Sequence, residues 1–223
     1  QPLANARLGI EHLLSQRAGE LWAPQRGVLS LVIKCIEEQS TLVDNMLTLL
    51  PHQKPEQTFP VPLDLGRVIQ DALISAEGLL QEKGLTLFTA FPGQAVPFHG
   101  DPLHLEKLVT NLLSNAIKFT PPGGEIRVTL EVQDGQAVLS VQDSGVGIPA
   151  EYQQQIFERF TQGDGGPTRN YPGLGLGLAL VKEIVEEYRG QIEVVSAQDQ
   201  GSVFRVRLPL APPSDPVYLE HLP

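Results

Sequence analysis

Asn111, Asn115 and Lys118 fall at i, i+4 and i+7, a spacing that puts all three on one face of a helix. Amide oxygens are suitable neutral ligands for a hard cation already bound to phosphates, and the lysine supplies positive charge beside them. The same pattern also fits the exposed polar face of an amphipathic helix. Further on, Asp143 closes an apolar stretch and opens the run Asp143-Ser144-Gly145-Val146-Gly147-Ile148. A carboxylate there can accept a hydrogen bond from an exocyclic amine such as that of adenine, and two glycines let the backbone approach a flat base. An Asp-capped turn at a strand end is the alternative. A charge at the end of an apolar strand is better accounted for by a polar ligand. The third group is Gly173-Leu174-Gly175-Leu176-Gly177, at the start of an apolar helical pattern. Backbone N–H groups exposed at such a helix start suit an anion, although a flexible hinge has the same composition.

The elements that would position these groups can be read from periodicity. Residues 1–15 carry Leu3, Leu8, Ile10, Leu13 and Leu14 among polar residues and read as a helix; Gly19, Pro24 and Gly27 punctuate a loop around Trp22. A second helix runs from about Val28 to Leu50, with a stripe through Leu29, Val32, Cys35, Ile36, Leu42, Val43, Met46, Leu49 and Leu50. Two helices joined by a short loop make an antiparallel hairpin over residues 1–52. They enclose little core alone, so a four-helix bundle of two copies is the economical arrangement. A linker is expected over 53–62. From Leu63 to Leu80 the helical pattern returns, and Leu85–Phe91 reads as a strand. Asp101 then caps a helix that has Pro102 at its first position and stops at Pro121-Pro122-Gly123-Gly124. Ile126–Val132 and Ala137–Gln142 form a hairpin about Asp134-Gly135. Residues 149–172 are a long polar segment apart from Ile156–Phe160. A helix at 176–188 and strands at Gln191–Val195 and Ser202–Leu208 complete the pattern. The expected fold is a two-layer α/β sandwich over 63–210, a mixed sheet covered on one face by helices and preceded by the helical hairpin. The tail at 211–223 is expected to be peripheral. Because the glycines come late and follow a long loop, a doubly wound dinucleotide fold is excluded.

With 26 acidic and 16 basic residues the chain carries a formal charge of −10, which argues against nucleic acid as a partner. It does not exclude a nucleotide, since local N–H groups, a metal and one or two basic side chains override the global sign. No run of 18 apolar residues is present, and one cysteine, Cys35, forbids an internal disulfide; its neighbours suggest a buried apolar position.

In combination the motifs closely resemble the histidine-kinase branch of the ATPase superfamily that also contains DNA gyrase, the Hsp90 chaperones and MutL. LVTNLLSNAIKF at Leu108–Phe119 is similar to its N box and DSGVGI at Asp143–Ile148 to its first glycine box. IFERF at Ile156–Phe160 is similar to its F box, and GLGLGLAL at Gly173–Leu180 to its second glycine box. With the trailing GSVFRVRLPL, the match runs to about residue 210. The resemblance implies ATP and Mg²⁺ as ligands. Asn111 and Asn115 would hold the metal and phosphates, with Lys118 near the phosphates and Phe119 beside the nucleotide. Asp143 would read the adenine amine, with Gly145, Gly147 and Ile148 shaping the base pocket. Residues 149–172 would be a mobile lid, with Phe160 in its F box and Arg169 the candidate for a γ-phosphate contact. Gly173, Leu174, Gly175, Leu176 and Gly177 would line the phosphates. Leu174 stands where a Thr is more common, and Gln162 near a position that often carries a basic residue.

The resemblance extends to residues 1–50 as a homodimerising hairpin, and implies an ATP-dependent protein histidine kinase of a two-component system. Such a kinase passes the γ-phosphoryl group to a histidine and then to an aspartate of a response-regulator receiver domain. Gln1-Pro2-Leu3 aligns with the end of the family's His-Glu/Asp-Leu-Arg-Thr-Pro-Leu segment, which places the acceptor histidine before Gln1 and an upstream sensory domain in the parent protein. Gln1 replaces the Thr associated with phosphatase activity. His12, His52, His99, His104 and His221 are poor substitutes; for His99 and His104 solvent exposure or a local cap is expected. This part is expected in the cytoplasm, whether or not its parent is membrane-anchored. A dimeric scaffold that binds nucleotide without phosphotransfer is the competing reading, and a mechanical ATPase is disfavoured by the short hairpin.

Overall fold

A computed structural model describes residues 60–161 and 175–210, together with 24–33, 35–36 and a few other positions among the first 36 residues. The chain divides into two compact units, Gln1–Pro55 and Glu56–Pro223. In the first unit Ala6, Ile10 and Leu13 are helical, as are residues 24–33 and 35–36. That second helical stretch begins four residues before the expected Val28. Gln25 turns its side-chain oxygen back to the N–H of Trp22 at 3.0 Å, and the Arg26 N–H reaches the Trp22 carbonyl. Pro24 therefore sits in a helix's first turn, where the missing N–H costs nothing, rather than in a loop. Cys35 is exposed, contrary to expectation, and so are Val28, Leu31 and Val32. Leu29, Ile33 and Ile36 of the same helix are half-buried.

The second unit opens with strand β1 (Val61–Asp64) and helix α1 (Leu65–Lys83), followed by β2 (Thr86–Ala90) and β3 (Pro97–Gly100). Helix α2 (Pro102–Phe119) leads to β4 (Glu125–Gln133) and β5 (Gln136–Asp143). Two 3-10 turns, Ala150–Tyr152 and Gln155–Phe157, precede helix α3 (Gly177–Glu187) and strands β6 (Gln191–Ser196) and β7 (Ser202–Pro209). Five strands form a mixed sheet in the order β2-β4-β5-β7-β6, with only the β2–β4 pair parallel. Strands β1 and β3 pair separately, Val61 opposite Gly100. Leu63 and Asp64, expected in a helix, belong to β1; Asp64 caps α1 from the strand end by accepting the Gly66 N–H at 3.0 Å.

Burial follows the period of each element. Ile126, Val128 and Leu130 on β4, Leu139 and Val141 on β5, and Phe204, Val206 and Leu208 on β7 turn inward. They meet Leu105, Leu108, Leu112 and Ile117 from α2 and Val181, Ile184 and Val185 from α3. The opposite sheet face carries Arg127, Thr129, Ser140, Arg205 and Arg207, so the alternation is clean on β7 and broken on β5 at Val138, which is buried on that face. The expected two-layer α/β sandwich is the fold observed.

Helix α3 is tied to α2 at its far end. Tyr188 Oη accepts the Asp101 N–H at 2.9 Å, and Phe98 packs edge-on against the Tyr188 ring. His104 lies there too, with Nδ1 3.2 Å from Glu187 and Nε2 3.7 Å from Asp101. It is a bridge between helices rather than the solvent-exposed or local cap residue expected. Hydrogen bonding to Glu187, helped by the charges of Glu187 and Asp101, holds its pKa above the ordinary histidine value against burial and Lys107. A raised folded-state pKa stabilises most below the unfolded value of about 6.5. That contribution is lost as pH rises through the folded pKa. We expect denaturation of the wild type and His104→Gln from pH 5 to 8.5 to show the largest gap at low pH. An equal gap at every pH would contradict the bridge.

Candidate nucleotide site

Helix α2 starts cleanly because Asp101 accepts the Leu103 N–H at 2.8 Å and Pro102 fills the first position. Its core stripe then fixes the flank carrying Asn111, Asn115 and Lys118, all partly buried. The Asn111 amide nitrogen donates to the Lys107 carbonyl at 2.8 Å, which turns Oδ1 toward the first residue of α3. A Cβ on Gly177 would lie 2.6 Å from that oxygen, so a side chain there would displace the Asn111 amide. Lys118 extends Nζ over the Phe119 ring, 4.8 Å from its centroid, and burial lowers its pKa.

The loop after β5 is seated on the end of α2. The Val146 N–H donates to the Phe119 carbonyl at 3.3 Å, and a Cβ on Gly145 would stand 2.6 Å from the same oxygen. Two motifs more than 20 residues apart thus touch through backbone. Gly147 has φ of 66°, and a side chain there would overlap the Ala197 carbonyl. The β6–β7 turn pins the other side of the loop: Ser196 Oγ accepts the Ile148 N–H at 2.8 Å and donates to the Gly201 carbonyl at 2.7 Å. Gln153 donates to the carbonyls of Ile148 and Ser196 at 2.9 and 2.7 Å.

Asp143 is 5% exposed. Its Oδ1 accepts the Gly145 N–H at 2.8 Å, and Ser202, opposite it in the β5–β7 register, also hydrogen-bonds the carboxylate. Burial outweighs these bonds and raises its pKa. Ser202, Ser196 and Gln153 were not singled out from the sequence. Strand register brings Ser202 to Asp143 and the β6–β7 end brings Ser196 to Ile148, neither of which local pattern carries, whereas Gln153 lies five residues beyond Ile148.

Helix α3 differs from its neighbours at its start. Asp64 and Asp101 cap α1 and α2, whereas Leu176 at the head of α3 provides no side-chain cap. Leu176 thus leaves the first N–H groups of α3, beside Asn111, without an acceptor side chain at the cap position. Leu176 itself is 2% exposed and serves the core through its side chain. The Phe160 N–H donates to the Gly175 carbonyl at 3.1 Å, so residues 160 and 175 meet. Arg159 binds Glu183 of α3 through Nε and Nη2 at 3.0 and 2.6 Å. Phe160 turns its ring to the surface. Arg169, Gly173 and Leu174 lie outside the described residues.

Among the described residues no group of three or more His, Cys, Asp or Glu could hold a metal. The donor set at α2 is amide oxygen with a nearby lysine, which fits a hard cation that brings phosphate oxygens with it. The uncapped helix, the amide pair and the glycine contacts therefore fit a nucleotide with its cation. No helix of the described residues is long and apolar enough to cross a membrane.

Residues 100–212, just over half of the chain, match the model of the histidine kinase-, DNA gyrase B-, and HSP90-like ATPases. The chain is 44% identical over 208 residues to the circadian input-output histidine kinase CikA of Thermosynechococcus vestitus, covering 92% of this chain and 28% of that protein. It is 36% identical over 211 residues to the probable sensor histidine kinase TcrY of Mycobacterium tuberculosis, covering 94% and 43%. Among solved structures, mycobacterial sensor histidine kinase MprB aligns at 32% identity and a TM-score of 0.58 over 69% of this chain and 99% of that one. Full-length ShkA in complex with AMPPNP aligns at 28% identity and a TM-score of 0.73 over 96% and 44%. The chain spans only about a quarter of the CikA proteins, 26% and 28% of their length. Family model, relatives and structures agree: the chain belongs to the histidine kinase-, DNA gyrase B-, and HSP90-like ATPase family and is homologous to sensor histidine kinases.

Proposed function

We propose that the chain binds ATP with Mg²⁺ and donates the γ-phosphoryl group to a histidine, which passes it to an aspartate of a response-regulator receiver domain. The observation that carries this reading is the meeting of three motifs at one place: the amide-bearing flank of α2, the loop after Asp143 and the uncapped start of α3. The metal neutralises phosphate charge when bound. The chain's own residues align and hold. Asn111 and Asn115 face the cation and phosphates, and Lys118 adds charge with Phe119 beside the nucleotide. Asp143 accepts from the adenine amine in the pocket shaped by Gly145, Gly147 and Ile148. Gly175 and Gly177, with Gly173 and Leu174, bring N–H groups to the phosphates, and Arg169 reaches the γ-phosphate. Alignment and charge neutralisation suffice for phosphoryl transfer, so no covalent chemistry is asked of the pocket.

Residues 1–52 serve as a dimerising hairpin in this reading. The exposed Val28, Leu31, Val32 and Cys35 support it, because these apolar side chains are available for a second copy to cover. The test supplies the chain with γ-labelled ATP, Mg²⁺ and, in trans, a hairpin carrying the His-Glu/Asp-Leu-Arg-Thr-Pro-Leu segment. Label should appear on the hairpin and be released by acid, as phosphohistidine is. Acid-stable label, or ATP hydrolysis with no phosphoprotein, would overturn the proposal.

A further inference from the structure

The last four carbonyls of any α-helix have no partner within it. In α2 all four are accounted for, from three sources. The Ala116 carbonyl accepts from the Thr120 N–H at 3.1 Å and from Thr120 Oγ1 at 2.6 Å. The Phe119 carbonyl accepts the Val146 N–H of the glycine loop. The two between them, Ile117 and Lys118, both accept from Lys83 Nζ, at 2.5 and 2.9 Å. Lys118 does not serve here, since its own ammonium lies over the Phe119 ring. Lys83 is the last residue of α1, and its place is fixed by the left-handed Gly84, whose N–H returns to the carbonyls of Leu80 and Gln81. The ammonium also sets a positive charge against the negative end of the α2 dipole.

We propose that Lys83 is a positioning residue for the nucleotide site. It holds the final turn of α2 so that the Phe119 carbonyl stays in reach of Val146 and the loop after Asp143 keeps its place. The proposal builds on the ATP-binding reading. Lys83 touches neither Asp143 nor the amide pair; it acts through the backbone of Ile117 and Lys118. Without it, two partly buried carbonyls lose their donors, and the turn loosens one residue before the Phe119–Val146 bond.

Lys83→Met keeps the aliphatic stem and removes the donors, whereas Lys83→Arg keeps a cation with donors. In the full chain, Lys83→Met should weaken binding of a non-hydrolysable ATP analogue with Mg²⁺ on the order of tenfold. Amide exchange at Val146 should accelerate by a similar factor while Leu139 and Val141, inside the sheet, stay protected. Lys83→Arg should recover most of both. Wild-type affinity together with wild-type protection at Val146 would overturn the proposal, as would uniform acceleration across the sheet, which marks a purely global role. Should Lys83→Met fail to fold, Lys83→Gln, neutral but still a donor, gives the same comparison with a smaller shift, and unchanged exchange at Val146 would again overturn it. If the wild-type chain does not bind the analogue, the ATP reading fails, while exchange at Val146 still decides the role of Lys83.

Discussion

Asp143→Asn should reduce ATP affinity about 100-fold, the equivalent of removing a hydrogen bond between a charged acceptor and a neutral donor in a dry site. The fold should survive. The carboxylate is buried, and its raised pKa shows that desolvation exceeds the help from Gly145 and Ser202. An amide removes that cost and keeps the Gly145 bond, but it turns a donor toward Ser202. The two effects offset, so the unfolding free energy without ligand should move by no more than about 1 kcal/mol. The pH dependence has a definite sign. A folded-state pKa above the unfolded value means the buried charge costs nothing below the unfolded pKa. The full cost appears only once pH has risen through the folded pKa. Nucleotide binding needs the charged form and should therefore weaken as pH falls through that raised pKa, whereas residual binding by the Asn variant should stay flat. Calorimetric titration from pH 4.5 to 8 checks both. An Asn variant that binds like the wild type would remove Asp143 from the base pocket.

Gly147→Val should be the most damaging single substitution in the loop. At φ of 66° a β-branched residue pays the left-handed penalty, about 1–2 kcal/mol, and its Cβ must also overlap the Ala197 carbonyl. The overlap is with backbone, so no side chain can rotate away. We expect a loss of about 3 kcal/mol in urea denaturation and no measurable nucleotide binding. Gly93→Val is the matched control: nothing lies within 4 Å of a Cβ there, so stability should shift by less than about 0.5 kcal/mol. Near-wild-type stability of Gly147→Val would mean that the β6–β7 turn is not braced on this loop.

What could be read from sequence follows from how local its cause is. Helix α2 was legible at both ends because an Asp-Pro start and a Pro-Pro-Gly-Gly stop act within a few residues. The β4–β5 hairpin was legible because Asp134 and Gly135 adopt φ of 49° and 73°, as a tight turn of that pair requires. Strands β1 and β3 were missed. Each has four residues and a proline, and each is a strand only because the other lies beside it, some 35 positions away. The motifs of the site were visible, but what braces them was not. Ser202 reaches Asp143 through strand register, Ser196 reaches Ile148 across a turn, and Lys83 reaches α2 from the end of another helix. Cys35 is exposed while Leu29 and Ile36 of the same stripe are half-buried, because periodicity names a face without ranking the burial of its members.

Of the three helices described in this domain, two bring their own first-turn acceptor, an aspartate one residue ahead of the helix, and the third does not. On the proposed reading that acceptor is imported from solution, as a phosphate. The secondary structure of the domain is then finished only when nucleotide is present, and its resistance to unfolding becomes a gauge of nucleotide supply. At a free concentration 100 times the dissociation constant the gain is about 2.7 kcal/mol, a substantial fraction of what holds a domain of this size together.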